Sequence, residues 1–265
     1  MTDDSLPLLR HPIQSPSAFT PERLMEAVRT ERELALEPVP PLCVLDFDGD
    51  LSDHLAEHQM SLPWTSWACF HTSMRVADIA GTRCGIVPRT IGGPYSVLIA
   101  EQLWAAGAKL IVGLTSAGRV SPNLPLPSIV VVNDAIRDEG TSLHYVAPTQ
   151  SLRTPTQRIV EPLIAELSAI APHVCQGRVW TTDAPYRETR EQLDYWATQN
   201  VLAVEMQAAS LFAFAQARRA PVAAVALVSN SVDGPAGGFD TGGNEFRVAV
   251  LRAIAIAATR YFQQG

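Results

Sequence analysis

The chain has 265 residues, of which 47% are hydrophobic and 18% charged, with a formal net charge of −7. That length suits one large α/β domain or two small ones and buries a core without staples. The composition argues against general disorder, and the acidic balance against broad binding to a nucleic-acid backbone, which needs clustered cations.

Residues 1–20 are rich in Pro and Ser and read as an irregular arm. Thr20-Pro21-Glu22 then supplies an N-cap, a proline at the first helical position and an acid in the first turn. The helix is predicted to run to about Leu36, before Pro38, Pro40 and Pro41. Leu42–Phe47 reads as a buried strand, followed by a turn at Asp48-Gly49-Asp50. Trp67–Ile79 and Arg83–Val87 read as a strand pair linked at Gly81. A helix is predicted from Gly92 to Ala106, then strands over Ala108–Leu114 and Ser128–Val132. Further helices are expected over Pro155–Ile170, Glu188–Thr198, Met206–Arg218 and Asn244–Phe262, and strands over Arg178–Thr181, Val201–Val204 and Val222–Ser229. The strands are continuous apolar runs, as in a sheet covered on both faces. No repeat or linker divides the chain. The expected organisation is an arm and helix over 1–41 and a single α/β domain over 42–265.

Lys109 is the only lysine, so Schiff-base, Walker A and kinase chemistry would all have to use that one residue. Cys43, Cys69, Cys84 and Cys175 form no close pair, which argues against a zinc site or redox dithiol and for buried, reduced thiols. The N-terminal residues lack the cationic start and apolar stretch of a signal peptide, and no apolar run reaches the roughly 20 residues of a membrane span. A cytoplasmic protein with no membrane or nucleic-acid partner is expected. The segment Asp46-Phe47-Asp48-Gly49-Asp50-Leu51 resembles the haloacid-dehalogenase signature. That chemistry also needs a later lysine and an acid pair for magnesium, and neither follows here. A strand-to-helix turn is the preferred reading of the segment.

Five other stretches carry a stronger resemblance. They are Ile91–Gly107 running into Lys109–Val120, Ala135–Pro148, Thr181–Thr189 and Val201–Ala215 (VLAVEMQAASLFAFA). In this order and spacing, the chain resembles the nucleoside phosphorylases of the uridine phosphorylase and purine nucleoside phosphorylase type. Thr115, Ser116, Ala117 and Gly118 follow a buried parallel strand, at the sheet end where open α/β sheets hold ligands. Glu205 opens a helix, where the dipole favours a carboxylate. Without the resemblance, a helix-start carboxylate with no ligand explains Glu205 equally well.

The resemblance implies a mixed, partly closed central sheet flanked by helices, dimers or hexamers, and cleavage of an N-glycosidic bond. It implies no metal or organic cofactor, with phosphate as a possible co-substrate. Glu205 and Met206 match the family's ribose-binding segment, while Gln207 replaces its second glutamate and loses a charge-assisted bond. Asn230 stands where related nucleosidases carry the aspartate that protonates a purine; it can hydrogen-bond a base but cannot act as an acid. Gly49 belongs to the matching glycine turn, His71 is a site histidine by position, and Tyr186 and Arg187 are placed to orient a base. Three cations of the family's phosphate site are missing: Asp53, Gly113 and Phe70 or His71 occupy their positions. Arg75, Arg89 and Arg119 are the candidates to replace them. Two alternatives therefore stand beside a phosphorylase, namely a nucleosidase that uses water and a non-catalytic nucleoside-binding or storage protein.

Overall fold

The computed structural model describes residues 6–10, 12–231 and 243–264. Its first strand, β1 (Leu42–Asp46), is buried at all five positions, as expected for an apolar run covered on both sides. It lies parallel to β4 (Thr82–Pro88) on one side and β5 (Leu110–Arg119) on the other. Beyond β4, the strands β3 (Arg75–Ile79) and β2 (Leu62–Pro63) continue the sheet antiparallel to its edge.

On the other side the sheet closes on itself. Strand β5 pairs in parallel with β10 (Val222–Ser231), which pairs antiparallel with β6 (Ser128–Asp138). Strand β6 pairs in parallel with β8 (Val174–Thr182), and β8 with β9 (Val201–Glu205). The ring is completed where β9 meets the far end of β5 antiparallel, Gly118 opposite Val204 and Arg119 opposite Ala203. A short β7 (Ser151–Arg153) edges β6. The expected mixed, partly closed sheet is thus present as a five-stranded barrel with an open wing.

Helices cover both faces. On one, α2 (Asp50–Glu57), α4 (Gln157–Ser168) and α7 (Asn244–Gln263) bury Leu51, Leu55, Leu163 and Ile254 against Val44 and Ile86. On the other, α1 (Pro21–Arg32), α3 (Gly93–Ala105) and α6 (Ala208–Arg218) bury Val28, Leu103 and Phe214. Helices α3 and α6 meet at Gly93, where a Cβ would stand 2.3 Å from Ser210 Oγ. Helix α5 (Arg190–Thr198) starts from a capping box in which Thr189 and Gln192 satisfy each other's backbone amides.

Several expectations change. Helix α1 ends at Arg32, four residues before Leu36, because Glu33 turns into the left-handed region. The strand expected over Trp67–Ile79 begins only at Arg75. Strands β5 and β6 run to Arg119 and Asp138 rather than Leu114 and Val132, because closing the barrel gives their polar ends ladder partners. Asp50, expected within the strand-to-helix turn, is already the first residue of the helix, which buries Leu51 and Leu55. Cys43, Cys69 and Cys84 are buried and Cys175 partly so, all unpaired. Among the described residues, no helix is long and apolar enough to cross a membrane.

Candidate active site

A cavity of about 300 Å³ opens where β5, β9 and β10 end beside the loop after β1. Its wall brings together Thr115, Ser116, Ala117, Gly118, Glu205, Met206, Gln207 and Asn230. The antiparallel pairing of Gly118 with Val204 sets Glu205 beside the small residues of β5. Asn230 arrives from a bulge in β10, where the register against β5 shifts between Val228 and Asn230.

Glu205 is 5% exposed. Its Oε1 accepts the Thr181 hydroxyl, and its Oε2 accepts the backbone amides of Gln207 at 2.7 Å and Ala208 at 2.8 Å. Three of the roughly four lone-pair positions of a carboxylate are thereby used, leaving capacity on Oε1. Burial pushes its pKa up to about 7, against the lowering effect of those three hydrogen bonds. Gln207 is also buried; its Oε1 accepts the Met206 amide at 3.2 Å and lies 3.3 Å from Thr115 Oγ1. It thus ties the start of α6 to β5.

A second cluster forms the floor. Gly49 adopts φ +90°, and a Cβ there would stand 2.8 Å from the Arg89 side chain. This turn swings Asp48 onto the cavity wall. Asp48 Oδ2 accepts from Ser116 Oγ at 2.6 Å, from the Ser116 amide at 3.2 Å and from Arg247 Nη2 at 3.2 Å. Arg247, on α7, is fully buried and also stands 3.6 Å from Asp50. Asp46 is wholly buried on β1. Burial raises its pKa, outweighing its hydrogen bond from the Ser52 amide, and Asp46 does not line the cavity.

Four expected site residues stand elsewhere. Tyr186 is 100% exposed and Arg187 also faces solvent; the neighbours that reach the cavity are Pro185 and Glu188. The 3-10 turn over Pro185–Arg187 points the tyrosine outward and turns Glu188 inward. Burial pushes the Glu188 pKa up to about 7. His71 is exposed, its carbonyl accepting Tyr95 Oη at 3.0 Å. Gly49 shapes the loop without lining the cavity.

The three candidate replacement arginines are also engaged away from the cavity. Arg75 binds Ser61, Arg119 reaches the Leu124 carbonyl, and Arg89 forks onto Asp53. Asp53 is therefore paired at the surface rather than aimed at a ligand. The guanidinium of the floor is Arg247, which sequence reasoning missed. Its surroundings, Phe246-Arg247-Val248, read like any helix arginine flanked by apolar residues.

The phosphorylase superfamily matches over residues 41–262. A guanosine phosphorylase of Halorubrum lacusprofundi is 28% identical over 59% of the chain and 64% of its own length. A uridine phosphorylase of Treponema pallidum is 28% identical over 56% of the chain and 63% of its own. The chain thus spans less than two thirds of these relatives. A solved uridine phosphorylase from Vibrio fischeri superposes with a TM-score of 0.68 at 20% identity, covering 86% of this chain and 94% of that one. This structural likeness speaks for the fold. The chain belongs to the phosphorylase superfamily.

Proposed function

We propose that this member of the phosphorylase superfamily cleaves the N-glycosidic bond of a nucleoside or a related compound in the β5–β9–β10 cavity. The observation that carries the reading is a buried carboxylate, Glu205, on the wall of a cavity that polar groups such as Thr115, Ser116 and Asn230 share with apolar ones such as Ile91, Val204 and Met206. Its remaining acceptor capacity suits a sugar hydroxyl, and the glycosyl centre becomes oxocarbenium-like as the bond breaks. A carboxylate near that centre stabilises developing positive charge.

Glu205, Met206 and Gln207 take the sugar side. Gln207 offers an amide where a carboxylate would bind hydroxyls more strongly. The base lies against Asn230, which hydrogen-bonds it, and Glu188, which protonates it as it leaves. Asn230 has no proton to give, whereas a carboxyl with a pKa near 7 is matched to general-acid work at neutral pH. Thr115 to Gly118 form the wall beneath. The relatives are named as guanosine and uridine phosphorylases, which supports a purine or pyrimidine nucleoside as the substrate class. Self-association as a dimer or hexamer goes with this reading and is measured by sedimentation.

The test is incubation of the protein with a panel of purine and pyrimidine nucleosides, followed by separation of free base from nucleoside. Base release supports the reading. Saturable binding without any release points instead to a nucleoside-binding protein on the same fold.

A further inference from the structure

Three donors converge on one point of the cavity floor: the Ser116 backbone amide, the Ser116 hydroxyl and the Arg247 guanidinium. An amide, a hydroxyl and a buried guanidinium together form an oxyanion-binding set. The atom they hold is Asp48 Oδ2, an oxygen of the chain itself. We infer that Asp48 is a built-in anion that occupies the oxyanion subsite of this cavity, and that the glycosyl acceptor is water rather than inorganic phosphate. The inference rests on the glycosidic-cleavage reading above and deepens it.

Charge supports the assignment. Arg247 is the cation of the floor, and both Asp48 and Asp50 lie within 3.6 Å of its Nη2. A phosphate would have to displace the Asp48 carboxylate from a donor set that is already occupied. The loop geometry fixes the arrangement. Gly49 at φ +90° lets the chain double back after Asp48, and α2 begins at the next residue. The Arg247 side chain is fully buried and reaches only inward. Its Nε and Nη1 are buried and find no hydrogen-bond partner among the described residues, so its hydrogen bonds at the floor run from Nη2, to Asp48 and Ser116. Neither Arg89 nor Arg75 lines the cavity; Arg89 pairs with Asp53 and Arg75 with Ser61.

The reaction balances without a further reactant. The bond between sugar carbon and base nitrogen breaks with its electron pair going to the base. The water oxygen forms the new bond to the sugar carbon. The proton water gives up is matched by the one the base takes, so the products are free base and free sugar.

Two measurements decide the matter. The first is a calorimetric titration of the protein with inorganic phosphate at constant ionic strength, with sulfate in parallel. Wild type should show no saturable phosphate binding up to the highest concentration titrated, and Asp48→Asn should gain it with a Kd at least about tenfold below that concentration, the factor that about 1.4 kcal/mol supplies. Saturable phosphate binding to wild type that Asp48→Asn leaves equal or weaker would overturn the inference. The second is turnover of a cleaved nucleoside in 18O-water with phosphate present. Label in the free sugar with no sugar phosphate supports water as acceptor; sugar 1-phosphate overturns it, whether or not the variant folds. If no nucleoside is cleaved, the glycosidic-cleavage reading and its water acceptor fall together, while the titration still decides whether Asp48 fills the anion subsite.

Discussion

Arg247 Nη2 lies 3.2 Å from Asp48 Oδ2, joining the last helix to the loop after the first strand across 199 positions of sequence. The pair is unequal in exposure: the arginine side chain is fully buried and the aspartate 21% exposed. Removing one member of such a pair leaves the other charge without its partner, which costs more than the pair contributes. Arg247→Met is therefore expected to destabilise the fold by about 3–5 kcal/mol. The double variant Arg247→Met/Asp48→Asn should recover a substantial part of that loss. Urea denaturation of the two variants and wild type reads both numbers; equal losses in single and double variants would show that the ion pair is not what stabilises the floor.

Gly49 holds this loop in a conformation that a residue with a Cβ adopts at a cost of roughly 1–2 kcal/mol. A Cβ would also press on the Arg89 side chain at 2.8 Å. Gly49→Ala is expected to lose about 1–3 kcal/mol in total, since Arg89 is exposed and flexible enough to yield. A melting temperature unchanged from wild type would mean that the loop accommodates the methyl group without strain.

Glu205 gives a pH dependence of known sign. Its pKa is pushed up to about 7 in the folded chain, above its ordinary value of 4.5. Between those two values the native state holds a proton that the unfolded state has released. Stability is therefore highest below about pH 4.5 for this group and falls as pH rises toward 7, by on the order of 2–3 kcal/mol. Glu205→Gln should flatten that slope. Unfolding free energies at a series of pH values for the two proteins check this; identical slopes would exclude Glu205 as their source.

Glu188 is expected to govern the alkaline side of the activity profile, because it must be protonated to act on the leaving base. Base release should decline as pH rises through about 7, and Glu188→Gln should lower kcat by about 10²–10⁴-fold. Tyr186→Ala, two residues away and fully exposed, should leave kcat near wild type in a single-chain site. A Tyr186→Ala loss as large as that of Glu188→Gln would place the base against the other side of this turn.

The alternation of buried strands and helices was legible because apolar runs such as Leu42–Asp46 carry their own signal. So was the grouping of Thr115, Ser116, Glu205, Gln207 and Asn230, through the order and spacing of the resembling segments. Local sequence says less where tertiary contacts decide. Thr115–Arg119 is small and polar and reads as a loop, yet barrel closure gives it partners on β10 and β9. Helix α2 was legible only as the far side of a strand-to-helix turn at Gly49, and its buried face, Leu51 and Leu55 at i, i+4, is set by packing against the sheet. Glu188 and Arg187 are adjacent, and the 3-10 turn over Pro185–Arg187 decides which faces inward. The role of Arg247 depends on a contact 199 residues away, beyond the reach of any local pattern.

The central claim, that the cavity around Glu205 cleaves nucleosides, is tested most directly by the rate of free-base release from a nucleoside panel by wild type and Glu205→Gln side by side. The account predicts measurable release by wild type and a loss of about 10–100-fold or more in kcat/KM for the variant, the effect of a charge-assisted bond worth about 1.5–3 kcal/mol. Equal rates in the two proteins, or no release by wild type from any nucleoside of the panel, would contradict it.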